Sequence, residues 1–127
     1  MKHLSLVIAL TASMLGGCAA LGPDSSPVRI SQGMLVGTND MTLYTFDRDV
    51  AGSGKSVCNG PCATNWPPLL AADDSRSQGG YSIITRDDGK KQWAFKGKPL
   101  YFWIKDSKPG DTTGDGFLNG AWHVAKP

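Results

Sequence analysis

The chain is predicted to be a mainly β protein, a small single domain of two pseudo-symmetric antiparallel β repeats. Long Gly/Asp loops join the strands, with at most short helical turns. Three observations carry that prediction. All 11 acidic residues are Asp and none is Glu, and Asp favours turns where Glu favours helices. Gly (16) and Pro (8) are abundant for 127 residues, as turn-rich β domains require. One aromatic pattern occurs twice. Leu43-Tyr44-Thr45-Phe46-Asp47-Arg48-Asp49 and Leu100-Tyr101-Phe102-Trp103-Ile104-Lys105-Asp106 both read Leu-Tyr-x-aromatic-x-x-Asp. A Trp follows each copy at nearly the same distance, Trp66 in the first and Trp122 in the second. Two copies favour a closed pseudo-symmetric domain over a solenoid.

Residues 1–17 read as a signal peptide. Lys2 supplies the positive start, and the apolar run Leu4 to Leu15 is broken only by Ser5, Thr11 and Ser13. That run is shorter than the ~20 residues of a spanning helix. Leu15-Gly16-Gly17-Cys18 resembles the bacterial lipobox. The resemblance implies that Cys18 becomes the N-terminus and carries lipid, so the membrane is a partner through that anchor. Residues 18–27 are then the lipidated Cys and a flexible, Gly/Pro/Ser-rich tether. Ala19, rather than Asp, follows the Cys. By the sorting rule of Gram-negative lipoproteins this points to the outer membrane, facing the periplasm.

Residues 28–127 form the two-repeat β domain, with repeats at about 28–70 and 81–127. Met41 to Phe46 is predicted as a strand, turned in by Gly37 to Asp40. Residues 48–65 are a long loop with room for a helical turn at Pro61 to Asn65. Tyr81 to Thr85 and Gln92 to Phe95 are strands joined by Asp88-Gly89, a dipeptide that accepts the positive φ of a tight hairpin. Lys96-Gly97-Lys98 turns into the strand Leu100 to Ile104, and residues 106–120 are the second long loop. No stretch holds a helical period.

Residues two apart on a strand face one side. Tyr44 and Phe46 therefore point together, as do Tyr101 and Trp103. Each buried ring contributes roughly 1.5–3 kcal/mol to so small a core. Asp49 and Asp106 fall just past the strands, placed to accept backbone N–H bonds and to partner a buried Tyr hydroxyl. The motif is read as structural, with an exposed ligand groove as the competing reading.

The chain resembles the secreted-repeat bacterial lipoproteins defined by a Tyr-x-[Phe/Trp/Tyr]-x-x-Asp motif. The resemblance rests on Leu43 to Phe46 with Asp49, Ser56 to Cys62, Asn65 to Leu69 and Asp88 to Trp93. It continues through Pro99-Leu100-Tyr101, Pro109-Gly110-Asp111 and Trp122-His123-Val124. It implies an envelope location and the repeat, and it brings no catalytic residues.

Cys58 and Cys62 remain once Cys18 carries lipid. An even pair in an exported chain, four apart on a helical turn, predicts a disulfide. The competing reading is a copper or thiol-redox site using Cys58 and Cys62, with His123, the single histidine of the mature domain, and Met34 or Met41 recruited. Binuclear copper centres place a His soon after the second Cys, and Trp66 stands there instead. Asp111 to Gly116 copies the first half of a calcium loop, but Trp122 stands where the closing Glu belongs. Gly52 to Ser56 lacks the earlier Gly of a phosphate loop. Asp73-Asp74 and Asp87-Asp88 read as solvated turns. Trp66, Trp93 and Trp103 are candidates for a partly exposed contact patch.

Lys and Arg together number 13 and the formal net charge is +2, with no basic aromatic stripe, so nucleic acid is not a partner. No grouped catalytic constellation is visible, and neither a cofactor nor a resident metal is assigned. The expected function is a lipid-anchored cell-envelope protein, a non-enzymatic binding or structural module with an envelope protein or polymer as partner. The copper or thiol-redox accessory is the alternative. A hydrolase acting on envelope polymers is the weakest reading, because no carboxylate pair can be placed in one cleft.

Overall fold

The computed structural model describes residues 26–127. The signal peptide, Cys18 and most of the tether lie outside the described residues. The elements are β1 (Val28–Ser31), β2 (Met34–Gly37), β3 (Tyr44–Phe46), α1 (Pro61–Asn65) and β4 (Leu70–Ala71). They continue with β5 (Tyr81–Thr85), β6 (Lys91–Phe95), β7 (Lys98–Pro99), α2 (Phe117–Gly120) and β8 (Trp122–Val124). The domain is mainly β, with two short helices, as the composition predicts.

Each repeat opens on a hairpin: β1 with β2, and β5 with β6. The first turns at Gln32-Gly33, both at positive φ (53 and 75), which matches the twist of the flanking strands. The second is longer and turns through Asp88-Gly89. A short Tyr-bearing segment follows each hairpin, then the long loop, the helical turn and the Trp.

Backbone hydrogen bonds show how the copies join. Tyr44 N–H donates to Tyr101 C=O at 2.8 Å, and Tyr101 N–H returns to Tyr44 C=O at 3.0 Å. The pseudo-two-fold axis therefore runs between the two motif tyrosines. On one side Leu35 N–H donates to Ala125 C=O (2.9 Å), Ala125 to Leu43 (2.8 Å) and Leu43 back to Leu35 (3.0 Å). On the other, Trp93 donates to Leu69 (2.9 Å), Leu69 to Leu100 (2.9 Å) and Leu100 back to Trp93 (3.0 Å). Two strands of each three-way junction come from one repeat and the third from the other. Each repeat thus lends its last segment to its neighbour. A single copy would leave these buried backbone groups without partners.

The axis also organises the core. Phe46 stacks on Trp122 (4.2 Å between centroids, 9° between planes). Trp122 stacks on Trp66 (3.7 Å, 2°), and Trp66 on Trp103 (4.0 Å, 27°). Tyr44 meets Trp66 edge-on at 5.3 Å, and Tyr101 meets Trp122 edge-on at 5.1 Å. Four rings from alternating repeats form one column, with each tyrosine set against the Trp nearest the axis. Gly114 borders the column. A Cβ there would lie 2.6 Å from the Trp66 ring and 3.0 Å from Trp103, so only glycine fits. A second cluster of Val28, Leu35, Leu43, Leu100 and Ala125 lies beside it.

Two predicted strands shorten. Met41 to Phe46 narrows to Tyr44–Phe46. Leu100 to Ile104 makes only isolated bridges, at Tyr101. Its partner segment contains Pro67 and Pro68, which have no N–H to donate. Phe102 and Ile104 donate to Pro67 C=O (2.7 Å) and Asn65 C=O (3.0 Å), and nothing returns from the prolines. The expected Trp patch is also corrected. Trp66, Trp93 and Trp103 are 3–6% exposed, because the ring column and the second hairpin consume them.

Candidate functional site: a one-sided groove on a two-fold scaffold

The repeat motif closes on itself across the axis. Tyr101 Oη donates to Asp49 Oδ2 at 2.5 Å, and Tyr44 Oη donates to Asp106 Oδ2 at 2.6 Å. Each aspartate serves the tyrosine of the other repeat. The second oxygen of each carboxylate holds its loop: Asp49 Oδ1 accepts from Val57 N (2.8 Å), and Asp106 Oδ1 from Thr113 N (3.0 Å) and Oγ1 (2.7 Å). Tyr44, Phe46, Tyr101 and Trp103 are core residues, so the competing reading of the motif as a ligand groove is corrected. The period-2 alternation that pairs Tyr with the next aromatic is the reason both rings point inward.

Around Tyr101 the network continues. Because Tyr101 donates to Asp49, Ser56 Oγ donates to Tyr101 Oη (2.6 Å) and accepts from Arg86 Nη1 (3.0 Å) and Cys58 N (3.2 Å). Burial pushes the Tyr101 and Tyr44 phenols well above the usual tyrosine range, and the hydrogen-bonded aspartate adds to it in each case. Burial likewise raises Asp49, against the opposing pull of its bonds from Tyr101 and Val57 N–H.

Cys58 and Cys62 are joined as a disulfide, with Cα atoms 5.2 Å apart; Cys62 is on the first turn of α1, and Cys58 lies in the loop before it rather than on the helical turn expected. The paired sulfurs pack on the ring column and offer no thiolate. His123 projects from β8, 49% exposed at its side chain, with Nε2 2.8 Å from Asp47 Oδ2. Among the described residues no group of three or more His, Cys, Asp or Glu side chains is placed to share a metal. The copper and thiol-redox reading therefore gains no support from this geometry. Asp111 Oδ2 accepts from Ser107 N (2.9 Å) and Lys108 N (3.2 Å), which holds its carboxyl below the usual range and serves the turn.

The two-fold relation separates what the fold needs from what it does not. The junction bonds, the ring column and the crossed Tyr–Asp bonds draw on both repeats alike. Among the described residues a groove lies beside β8. One part, about 180 Å³, lies among Thr45, Phe95, Lys96, Lys98, Val124 and Lys126. The other, about 350 Å³, lies among Gln32, Met34, Thr112, Asp115, Val124 and Lys126. They share the wall residues Val124 and Lys126. The junction hydrogen bonds make Met41 the counterpart of Lys98 and Leu70 the counterpart of Lys126. Lys96 sits in the turn that Thr38 to Asp40 makes in the first repeat. None of those counterparts is cationic. Among the described residues Lys96 and Lys126 enter no ion pair, and Lys98 reaches only Asp47, at 4.0 Å. The sequence reading missed this groove, because the three lysines are spread over two turns and the C-terminus with no motif linking them.

A two-repeat β domain locked by exchanged end segments, with its carboxylates and hydroxyls bound into the core, defines the class. The chain belongs to a family described as a secreted repeat of unknown function, whose model matches residues 28–70 and 82–126. Comparison with curated proteins and with solved structures gave no match. No helix among the described residues is long and apolar enough to cross a membrane. A secreted family fits an extracellular or envelope location.

Proposed function

We propose that the protein is a lipid-anchored module of the cell envelope that binds a partner without chemistry, using the groove beside β8. The observation that carries this is the asymmetry of the groove. Three lysines line one side of a pseudo-symmetric scaffold and are absent from the other, so the fold does not require them. The groups best suited to catalysis, Asp49, Asp106 and the two tyrosines, are bound to one another, with both tyrosines and Asp49 buried. Acyl chains on Cys18 would hold the domain at a membrane, with the outer membrane favoured by Ala19. The partner is an envelope protein or polymer.

A photo-cross-linking residue at Lys98, and in a second strain at its counterpart Met41, tests the reading in intact cells. Adducts in the envelope fraction are expected from position 98 and not from 41. Equal adducts from both, or none, would overturn it. In the same strains Cys18→Ala should release the protein from membranes and abolish palmitate labelling.

A further inference from the structure

One half of the molecule carries, built in, a group whose cradle stands open in the other half. Arg86 is 4% exposed. Its guanidinium donates to Gln92 Oε1 (2.8 Å), Ser56 Oγ (3.0 Å), Cys58 C=O (2.5 Å) and Asn59 Oδ1 (3.3 Å). No carboxylate pairs with it. Neutral oxygens of loop 1 and β6 form the whole cradle.

The counterparts of that cradle follow from matching hydrogen bonds. Val57 N–H to Asp49 matches Thr113 N–H to Asp106, which sets Ser56 against Thr112, Cys58 against Gly114 and Asn59 against Asp115. The junction bonds set Trp93 against Leu35, and so Gln92 against Met34. Met34, Thr112 and Asp115 all line the 350 Å³ part of the groove. That space is where a second Arg86 would sit. It is empty of side chain because the first hairpin turns at Gln32-Gly33, whereas the second runs on through Arg86 to Lys90.

The open cradle has fewer acceptors than the filled one, but one of them is a carboxylate. Asp115 puts a carboxylate where Asn59 puts an amide. Its Oδ1 accepts from Val124 N at 3.0 Å, and its other oxygen makes no hydrogen bond among the described residues. Thr112 offers a hydroxyl as Ser56 does, and Met34 a polarizable apolar floor for a planar group.

We propose that this cavity binds a guanidinium group, presented as an arginine side chain by the envelope partner. The inference rests on the binding-module reading and adds the ligand's chemistry. Lys126, on the wall shared with Lys96 and Lys98, repels a bare cation. It therefore selects an arginine with an anion beside it, an acidic neighbour or a chain-terminal carboxylate.

The test is the ¹³C-methyl signal of Met34 in the full chain held in detergent micelles, titrated with N-acetyl-arginine. Met41, on the opposite side, is the internal control. A saturable shift of Met34 alone is expected. Arginine amide, which lacks the carboxylate, should bind more weakly, and N-acetyl-citrulline, which lacks the charge, should give no shift. Asp115→Asn keeps an acceptor for Val124 and should weaken binding by about tenfold. No shift of Met34, an equal response to citrulline, or an unchanged affinity in Asp115→Asn would each overturn the proposal. Arg86→Ala supplies a second measurement. It opens the first cradle, and ethylguanidinium should restore part of its lost thermal stability; no rescue would show that such cradles do not hold a free guanidinium. A Lys98 cross-link in cells without arginine binding would leave the module standing and remove this inference alone.

Discussion

The two long loops descend from the same repeat and solve opposite problems. Loop 1 is sealed: a disulfide closes it, Ser56 and Arg86 fill its underside, and Asp49 is 2% exposed. Loop 2 is open: Gly114 stands in place of Cys58, Thr112 and Asp115 face a cavity, and Asp106 is only half-buried. The shared parts are the backbone junctions, the ring column and the crossed Tyr–Asp bonds. The comparison teaches that the exchange of end segments, rather than the loops, makes the fold. Once the exchange is in place, one loop is free to become a surface.

If the ring column belongs equally to both repeats, its two central members should be interchangeable in cost. Trp66→Ala and Trp122→Ala should each lower unfolding stability by about 3–5 kcal/mol, the usual cost of emptying so large a buried site. Urea denaturation measures this. A difference of more than about 1.5 kcal/mol between them would break the equivalence, since independent error in such comparisons is smaller. Both variants should still unfold in one transition, because neither repeat has a complete set of junction bonds alone.

The crossed Tyr–Asp bonds sharpen the contrast between the sealed and open loops. Tyr101→Phe leaves the Asp49 carboxylate buried with one partner fewer and Ser56 without its acceptor. A loss of about 2–3 kcal/mol is expected, near the top of the range for stranding a buried polar group. Tyr44→Phe leaves the buried Gly114 N–H without its 3.3 Å acceptor, but it strands less at the carboxylate, because Asp106 keeps both bonds from Thr113 and is only half-buried. About 1 kcal/mol is expected there. The same denaturation experiment separates the two. Equal losses would mean that loop 1 admits water to Asp49 and is not sealed.

Parts of this architecture were legible before any coordinates. The period-2 spacing of Tyr and aromatic placed Tyr44, Phe46, Tyr101 and Trp103 on one face, and that face is the core. Cys58 and Cys62 stood as an even pair in an exported chain and are joined. What escaped was non-local. Nothing within Leu43 to Asp49 tells that Asp49 serves Tyr101 and not Tyr44, since the bond spans the two copies. The β1–β2 hairpin escaped because Ile30 points outward, breaking the alternation, and its turn is Gln-Gly rather than Asn-Gly. Arg86 drew no notice in the sequence, since an arginine beside a hairpin turn is usually solvated. The one available signal was comparative: five residues, Arg86 to Lys90, turn the second hairpin where two turn the first. Trp66, a candidate in the sequence for a partly exposed contact patch, is buried instead. It is a column residue because the exchange brings Trp122 against its face.

Alkaline unfolding tests the same comparison under conditions in which the two loops should stop differing. Both motif tyrosines titrate far above pH 10 in the folded protein and near 10 once unfolded. Below about pH 10 both states keep the proton, and the stabilisation is complete. Above it the unfolded chain releases the proton first, so stability falls as pH rises toward the folded values. The slope approaches about 1.4 kcal/mol per pH unit for each tyrosine. Tyr44→Phe and Tyr101→Phe should therefore each remove about 1 kcal/mol per pH unit from the slope measured between pH 10 and 11, where an unfolded tyrosine is only partly ionised. They should do so equally, although they cost unequally at neutral pH. The neutral cost depends on what each aspartate loses, whereas the slope depends only on a proton that the fold refuses to release. A smaller change for Tyr44→Phe would mean that Tyr44 ionises while the protein is still folded. Loop 2 would then open around the axis itself, and the exposure of that half would reach past the groove into the column.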